Sequence, residues 1–410
     1  MHKAAMMCAA ALAAWALAVG AQAESIPVEE NLAAGGRTID VRSAALAGST
    51  VARARGLDAL TTNPAGLAAL AYSEFSGSLL YNSGSLDTQL GTSPTAAASW
   101  SGVRFGHVGI AHRFYEYPWL GVAASYHQLR SLSTRSLVEG VETLGPSAGS
   151  AIREAIETDG DVYSLSLGAG FEVARGVRVG IALNQWDGGR DRHIRYERGD
   201  TYLDDIRRDI SATRLKLGAE VGLTPMILFG ASAHLPADVD IREEWSQIDR
   251  SRDRSSGSGD SGVIKYDFHF PLEIEVGSAL KLYRWRVSGA IRHARWTDAR
   301  YSSSPANSVD ANQFETLYQN ETELKLGAEH WLENDIALRG GVRIGSPRLS
   351  SDWKSYDRAP LTLSLGTGLP MGRAAFLDLA YEFNVWERNG DDLNEAQAGH
   401  RFLAGGRWLF

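Results

Sequence analysis

Side chains on a β-strand point alternately to two faces, and from residue 72 onward this chain alternates almost everywhere. In the last run, Leu377, Leu379, Tyr381, Phe383 and Val385 alternate with Asp378, Ala380, Glu382 and Asn384. After a polar turn at residues 389–392, Phe402, Ala404, Gly406, Trp408 and Phe410 alternate with Arg401, Leu403, Gly405 and Arg407. The same period holds at residues 163–171, 177–184, 214–221, 322–332, 336–344 and 361–369. The longest run sets Tyr266, Phe268, Phe270, Leu272, Ile274 and Val276 on one oily face against Asp267, His269, Glu273 and Glu275. Each run is two-faced, and none is the continuous apolar stretch of a buried parallel strand.

The connections alternate too. Short breaks at residues 116–119, 174–176, 223–225, 282–284, 333–335 and 370–373 take turns with long polar ones. The long ones fall at 81–94, 135–160, 187–208, 243–262, 298–312, 345–359 and 387–395. A soluble sandwich has no reason to make every second connection long. The pattern predicts an all-β fold, a transmembrane antiparallel β-barrel of about fourteen strands with tight periplasmic turns and long external loops. In such a barrel the oily face meets lipid and the charged face lines the lumen. That face carries Arg214, Lys216, Glu220, Glu273, Glu275, Glu321, Glu323, Arg339, Arg343, Asp378 and Glu382. Both signs are interspersed, which points to mutual neutralisation that holds walls and interior together.

Composition narrows the class. The 410 residues contain no linker or block of like charge, and a net charge of -8 excludes a nucleic-acid surface. A mean hydropathy of -0.20 is ordinary for a barrel, which shows lipid only every second residue. Residues 1–23 read as a signal peptide: His2 and Lys3, an Ala-rich apolar stretch, then Ala21-Gln22-Ala23 as a small-x-small cleavage site. The single cysteine, Cys8, lies inside it, so the mature chain holds no disulfide and no thiolate nucleophile. Residues 24–71 precede the first strand and are rich in small residues, and residues 72–410 form the barrel. Within 24–71, Asn63-Pro64-Ala65-Gly66 has turn chemistry. Taken alone it reads as a surface turn between two short helices; upstream of a barrel with room inside, the segment is also placed to fold back as a plug.

Small residues followed by Leu60-Thr61-Thr62-Asn63-Pro64-Ala65-Gly66-Leu67, and then a barrel ending in Phe410, resemble the FadL/TodX family of outer-membrane transporters for fatty acids and other hydrophobic compounds. The match is residue by residue only at Asn63, Pro64, Ala65 and Gly66. The resemblance implies a fourteen-stranded barrel plugged by an N-terminal hatch that carries this turn, with solute leaving sideways through the wall. It implies passive uptake of hydrophobic compounds such as long-chain fatty acids, and a terminal Phe410 read by the barrel assembly machinery. The expected setting is the bacterial outer membrane, with membrane lipid and a hydrophobic solute as partners, no nucleic acid, and a monomeric state. Residues 39–70 are also similar to PorV-like barrels, which implies the alternative of a non-transporting scaffold or shuttle that binds protein partners.

Catalytic motifs do not hold up in context. Gly259-Asp260-Ser261-Gly262 and Gly145-Pro146-Ser147-Ala148-Gly149 copy nucleophile motifs, but both fall in polar loops without the strand and helix such sites need. No histidine pair has metal-ligand spacing with an acid, and no metal or cofactor is expected. The one long loop with helical period spans 136–159, where Leu137, Val138, Val141 and Leu144 precede Ile152 and Ile156. This predicts a helical hairpin over the barrel mouth, with those six residues as a greasy groove where solute lands.

Overall fold

The computed structural model describes residues 40–90, 96–141, 151–198, 200–250, 259–301, 319–346, 355–389 and 393–410. The expected signal segment, the 145–149 motif and Leu144 lie outside them. The chain forms a closed antiparallel barrel of fourteen strands. They are β1 (Glu74–Leu90), β2 (Ala96–Arg113), β3 (Leu120–Ser131 continued by Thr134–Val141), β4 (Ala151–Ala174), β5 (Val177–Arg198) and β6 (Asp200–Gly222). Next come β7 (Ile227–His234 and Ala237–Arg250), β8 (Gly259–Phe270 and Glu273–Leu282), β9 (Trp285–Ala294 and Arg300–Tyr301) and β10 (Glu321–Trp331). The last four are β11 (Ala337–Gly345), β12 (Ser355–Pro370), β13 (Ala375–Asn389) and β14 (Leu393–Leu409). Because β3, β7, β8 and β9 are each broken once, 18 ladder segments make fourteen strands. β14 closes on β1 from Glu74 opposite Leu409 through Leu90 opposite Leu393, so the seam has no free edge.

The outer face follows the alternation. Leu167, Ile181, Val276, Leu326 and Leu365 are exposed, and aromatic residues Tyr72, Tyr117, Trp119, Tyr283, Trp285 and Trp408 ring the tight-turn rim. An apolar band with an aromatic girdle is what a lipid-spanning barrel presents. Leu326 sits halfway along β10, so Leu326→Arg is expected to destabilise the barrel by about 2–4 kcal/mol. A urea titration of protein refolded into lipid vesicles, read by the heat-modifiable band, measures that loss.

Several expected loops are strands. β5 and β6 continue through 187–208 to Arg198 opposite Asp200, and β7 and β8 reach Arg250 and Gly259, which puts Asp260 and Ser261 in a strand as well. Beyond the lipid both faces are wet, so alternation fades while the ladder continues. The predicted helical hairpin is also extended, with Thr134 opposite Thr158 and Val141 opposite Ala151. Leu137 pairs on its other side with Ala97 of β2. Ladder partners on both sides override the helical spacing.

Residues 40–73 lie inside the ring. They form α1 (Val41–Ala45), α2 (Asp58–Thr61) and a 3-10 turn, Pro64–Ala69, nearly all buried. The Asn63 turn is therefore not on the surface. This inner segment rests on the wall near the tight-turn end, where the wall strands place glycines. Gly121 faces the Leu67 carbonyl, Gly180 faces Pro64, Gly230 faces the Val51 carbonyl and Gly341 faces Leu46. At each of them a Cβ would overlap inner backbone. Backbone against backbone is the closest approach a lumen offers, and only glycine allows it.

Candidate functional site

Three layers fill the lumen from the tight-turn end outward. In the first, the inner segment is bonded to the wall on several sides. Asn63 is fully buried; its Oδ1 accepts from the Ala65 amide at 3.1 Å, capping the 3-10 turn that Pro64 opens. Its Nδ2 donates to the Val51 carbonyl at 2.7 Å and to the wall carbonyl of Ala219 at 2.9 Å. The Lys216 ammonium donates to the carbonyls of Thr61 and Thr62. Arg55 grips Glu220 with two bonds, of 2.6 and 2.9 Å. Opposite, the buried Glu329 of β10 takes Arg42 at 2.8 Å, Arg53 at 2.8 Å and Arg339 at 2.9 Å.

The second layer is ionic. Arg214 meets Glu273 at 2.7 Å, and Arg292 reaches Glu273 at 2.6 Å, Glu321 at 3.2 Å and Glu323 at 3.3 Å. Lys325 holds Glu275 at 3.0 Å, Arg339 holds Asp378 at 2.6 Å and Arg401 holds Glu382 at 2.8 Å. Arg343 donates to Thr362 at 3.2 Å. The structure thus places every charged residue named from the sequence on the inner face, and nearly all carry opposite charges as partners.

The third layer is apolar. Val162 of β4, Trp186 of β5, Ile210 of β6, Val239 and Ile241 of β7, Tyr266, Phe268 and Phe270 of β8, and Trp296 form one buried cluster. Phe270 packs edge-on against Phe268 at 5.2 Å, Trp186 at 5.6 Å and Trp296 at 6.0 Å. This corrects the expected lipid-facing run. Tyr266, Phe268 and Phe270 point inward, whereas Ile274 and Val276 face out and Glu273 faces in. The run is two half-strands of opposite phase, joined at Pro271-Leu272. Its neighbour β7 breaks beside it, at Leu235-Pro236. Proline cannot donate to a ladder, and a slip of one residue turns every later side chain to the other face. The carbonyls freed at the two breaks are taken by Arg214, from Pro271 at 2.9 Å and Leu235 at 3.3 Å. Its guanidinium also lies over the Trp186 and Phe270 rings, so one arginine floors the apolar layer and satisfies the broken backbone. Two prolines in adjacent strands were the available signal.

Beside this layer the wall ladder is interrupted between β2 and β3. β2 pairs with β3 from Arg113 opposite Gly121 to His107 opposite His127, and pairing resumes only at Ser99 opposite Arg135. Between those points β3 bulges near Gln128, and the Leu132 amide turns to the Gly160 carbonyl of β4 at 2.8 Å. Residues 100–106 thus face no ladder partner on β3, over roughly 20 Å of strand at about 3.3 Å per residue. Leu132, at the break, belongs to the apolar cluster, and Leu129 packs on it. The groove candidates stand elsewhere: Leu137, Val138 and Val141 are strand positions of β3, and Ile152 and Ile156 of β4. They form no helical face, and Ile156 is buried.

Among solved structures, the P. putida toluene transporter TodX aligns with a TM-score of 0.66 at 15% identity, covering 90% of this chain and 98% of that one. A Pseudomonas aeruginosa FadL homologue aligns at 0.67 with 13% identity, over 90% and 98%. The Ralstonia pickettii toluene transporter TbuX aligns at 0.62 with 15% identity, over 90% and 97%. No family model matches the chain, and no curated protein does. At such identities the likeness is one of fold, and it runs the length of the described barrel.

Proposed function

We propose that this chain is an outer-membrane channel, and not an enzyme, that takes up hydrophobic compounds such as long-chain fatty acids passively. The observation that carries this reading is the apolar layer inside the lumen, closed below by a bonded inner segment and bordered at the side by the stretch where the β2–β3 ladder is interrupted. Water has no use for a buried cluster of Trp, Phe, Tyr and Ile at the centre of a pore, whereas an apolar solute gains by entering it. In this reading residues 1–23 direct export and are removed, and residues 24–71 are the plug. Solutes named for the structural relatives, toluene among them, and the fatty-acid type stand as alternatives within one hydrophobic class. The protein acts as a monomer in lipid, and its exposed terminal Phe410 is recognised during assembly.

Uptake of labelled oleate and toluene by cells with and without the gene tests the reading, and faster uptake of at least one is expected with it. Equal uptake, with a secreted protein co-purifying, would replace it with the scaffold alternative. Asn63→Ala sharpens the test. Loss of the amide leaves the Val51 and Ala219 carbonyls and the Ala65 amide without their partner, at about 1–3 kcal/mol for a buried group. The plug is loosened while the barrel ladder is untouched, so uptake changes at constant barrel quantity.

A further inference from the structure

We propose that Arg104 is a latch across the side opening, a bar of side chains that closes β2 onto β3 and β4 where the ladder does not. The transport reading above gives the latch its purpose, but its geometry stands separately. In the free stretch of β2, residues 100–106, Arg104 alone carries charge. Its Nη2 donates to Ser133 Oγ at 3.0 Å, on the far side of the break. The same guanidinium lies 3.6 Å from Asp161 and 3.9 Å from Asp159, both on β4.

The receiving end is preassembled. Ser133 Oγ donates to Asp159 at 2.5 Å and accepts from the Gly160 amide at 3.3 Å. Gln128, at the other end of the bulge, donates to Asp161 at 2.7 Å. β3 therefore holds two carboxylates of β4 in place, and β2 supplies the cation. A strand edge without a ladder partner on one side needs such cover in lipid, because hydrocarbon offers it no hydrogen bonds.

This contact differs in kind from the ion pairs of the inner segment. The Glu329 contacts with Arg42, Arg53 and Arg339 are short, at 2.8–2.9 Å, and converge on one fully buried carboxylate, which makes a permanent joint. The Arg104 pairs are longer, at 3.6 and 3.9 Å, with the arginine side chain 26%, Asp161 22% and Asp159 82% exposed. Long ion pairs within reach of solvent are weak, which suits a part that must open. Leu132, next to Ser133 in the chain, belongs to the apolar layer and Leu129 packs on it, so releasing Arg104 joins that layer to the lipid.

The test uses Leu132→Cys protein in lipid vesicles, where the mature chain has no other cysteine, and the rate at which pyrenyl-maleimide labels it. Arg104→Met, added to this background, is expected to raise the rate about threefold, the worth of a weak, solvent-reachable ion pair. Ser133→Ala is expected to raise it less, and Arg104→Lys to fall between. Salt at molar concentration should speed the Arg104 protein and leave the Arg104→Met protein unchanged, since screening acts only where the pair exists. Equal rates in all variants that show the heat-modifiable band, or rates blind to salt, would overturn the latch. Faster labelling without oleate or toluene uptake by any variant would keep the latch and remove the transport reading.

Discussion

Glu329→Ala is expected to unseat the inner segment while leaving the barrel standing. The carboxylate is buried among Arg42, Arg53 and Arg339. Arg339 keeps Asp378 at 2.6 Å, but Arg42 and Arg53 lose the carboxylate that both grip. Removing one partner of a buried ion cluster costs about 3–5 kcal/mol, because the remaining charges stay buried without compensation. That is more than a hundredfold in the balance between seated and released segment. The ladder of β9, β10 and β11 owes nothing to Glu329, so the heat-modifiable band should persist while cells become sensitive to vancomycin. Adding Arg42→Leu and Arg53→Met to Glu329→Leu should recover part of the loss, since apolar groups of similar volume replace buried ion clusters well. Sensitivity unchanged by Glu329→Ala would mean that the inner segment is held by its other contacts alone.

Gly180→Val carries the second large effect, through shape instead of charge. A Cβ at Gly180 overlaps the Pro64 carbonyl carbon and the Ala65 amide nitrogen. Both sides of that contact are backbone, so no rotamer relieves it, and overpacking of even a yielding site costs about 1–3 kcal/mol. Valine is itself a good strand residue, and the pairing of β5 with β4 and β6 has no cause to fail. The expected result is a displaced inner segment in an intact barrel. An Ala68→Cys reporter, buried in the parent, should label quickly with an impermeant maleimide in the Gly180→Val background. Gly406→Val is the matched control, because nothing lies within 4 Å of its Cβ position, and it should label at the parental rate.

The barrel was legible because lipid outside and water inside impose alternation on every strand they both touch. Runs such as Leu165 and Leu167 against Ser164 and Ser166 keep one phase and read correctly. Reading failed where one of those two solvents was missing. Past the lipid, as along 187–198, both faces are wet and strand looks like loop. At Tyr266, Phe268 and Phe270 the lumen face is the apolar one and Asp267 and His269 face out, and the slip at Pro271 is invisible to a count of odd and even positions. The lumen charges could be named from parity alone. Their partners could not, since Glu329 draws on residues 42, 53 and 339, far apart in sequence. The glycines against the inner segment were present in the sequence as ordinary strand glycines. Only the path of residues 40–73 gives them a role. Arg104 was equally plain, because nothing in sequence marks the place where two ladders part.

Photolabelling in outer-membrane vesicles with a diazirine-bearing fatty acid and a diazirine-bearing alkylbenzene tests the central claim most directly. The labelled peptides are mapped with and without excess unlabelled oleate or toluene. Solute passage through the lumen predicts saturable label on the inward residues Leu132, Trp186, Phe268 and Phe270, lost on competition and reduced by Phe270→Glu. Label confined to outward positions such as Leu167, Val276 and Leu326, and indifferent to competitor, would show that solute meets this barrel only as lipid does and would contradict the account.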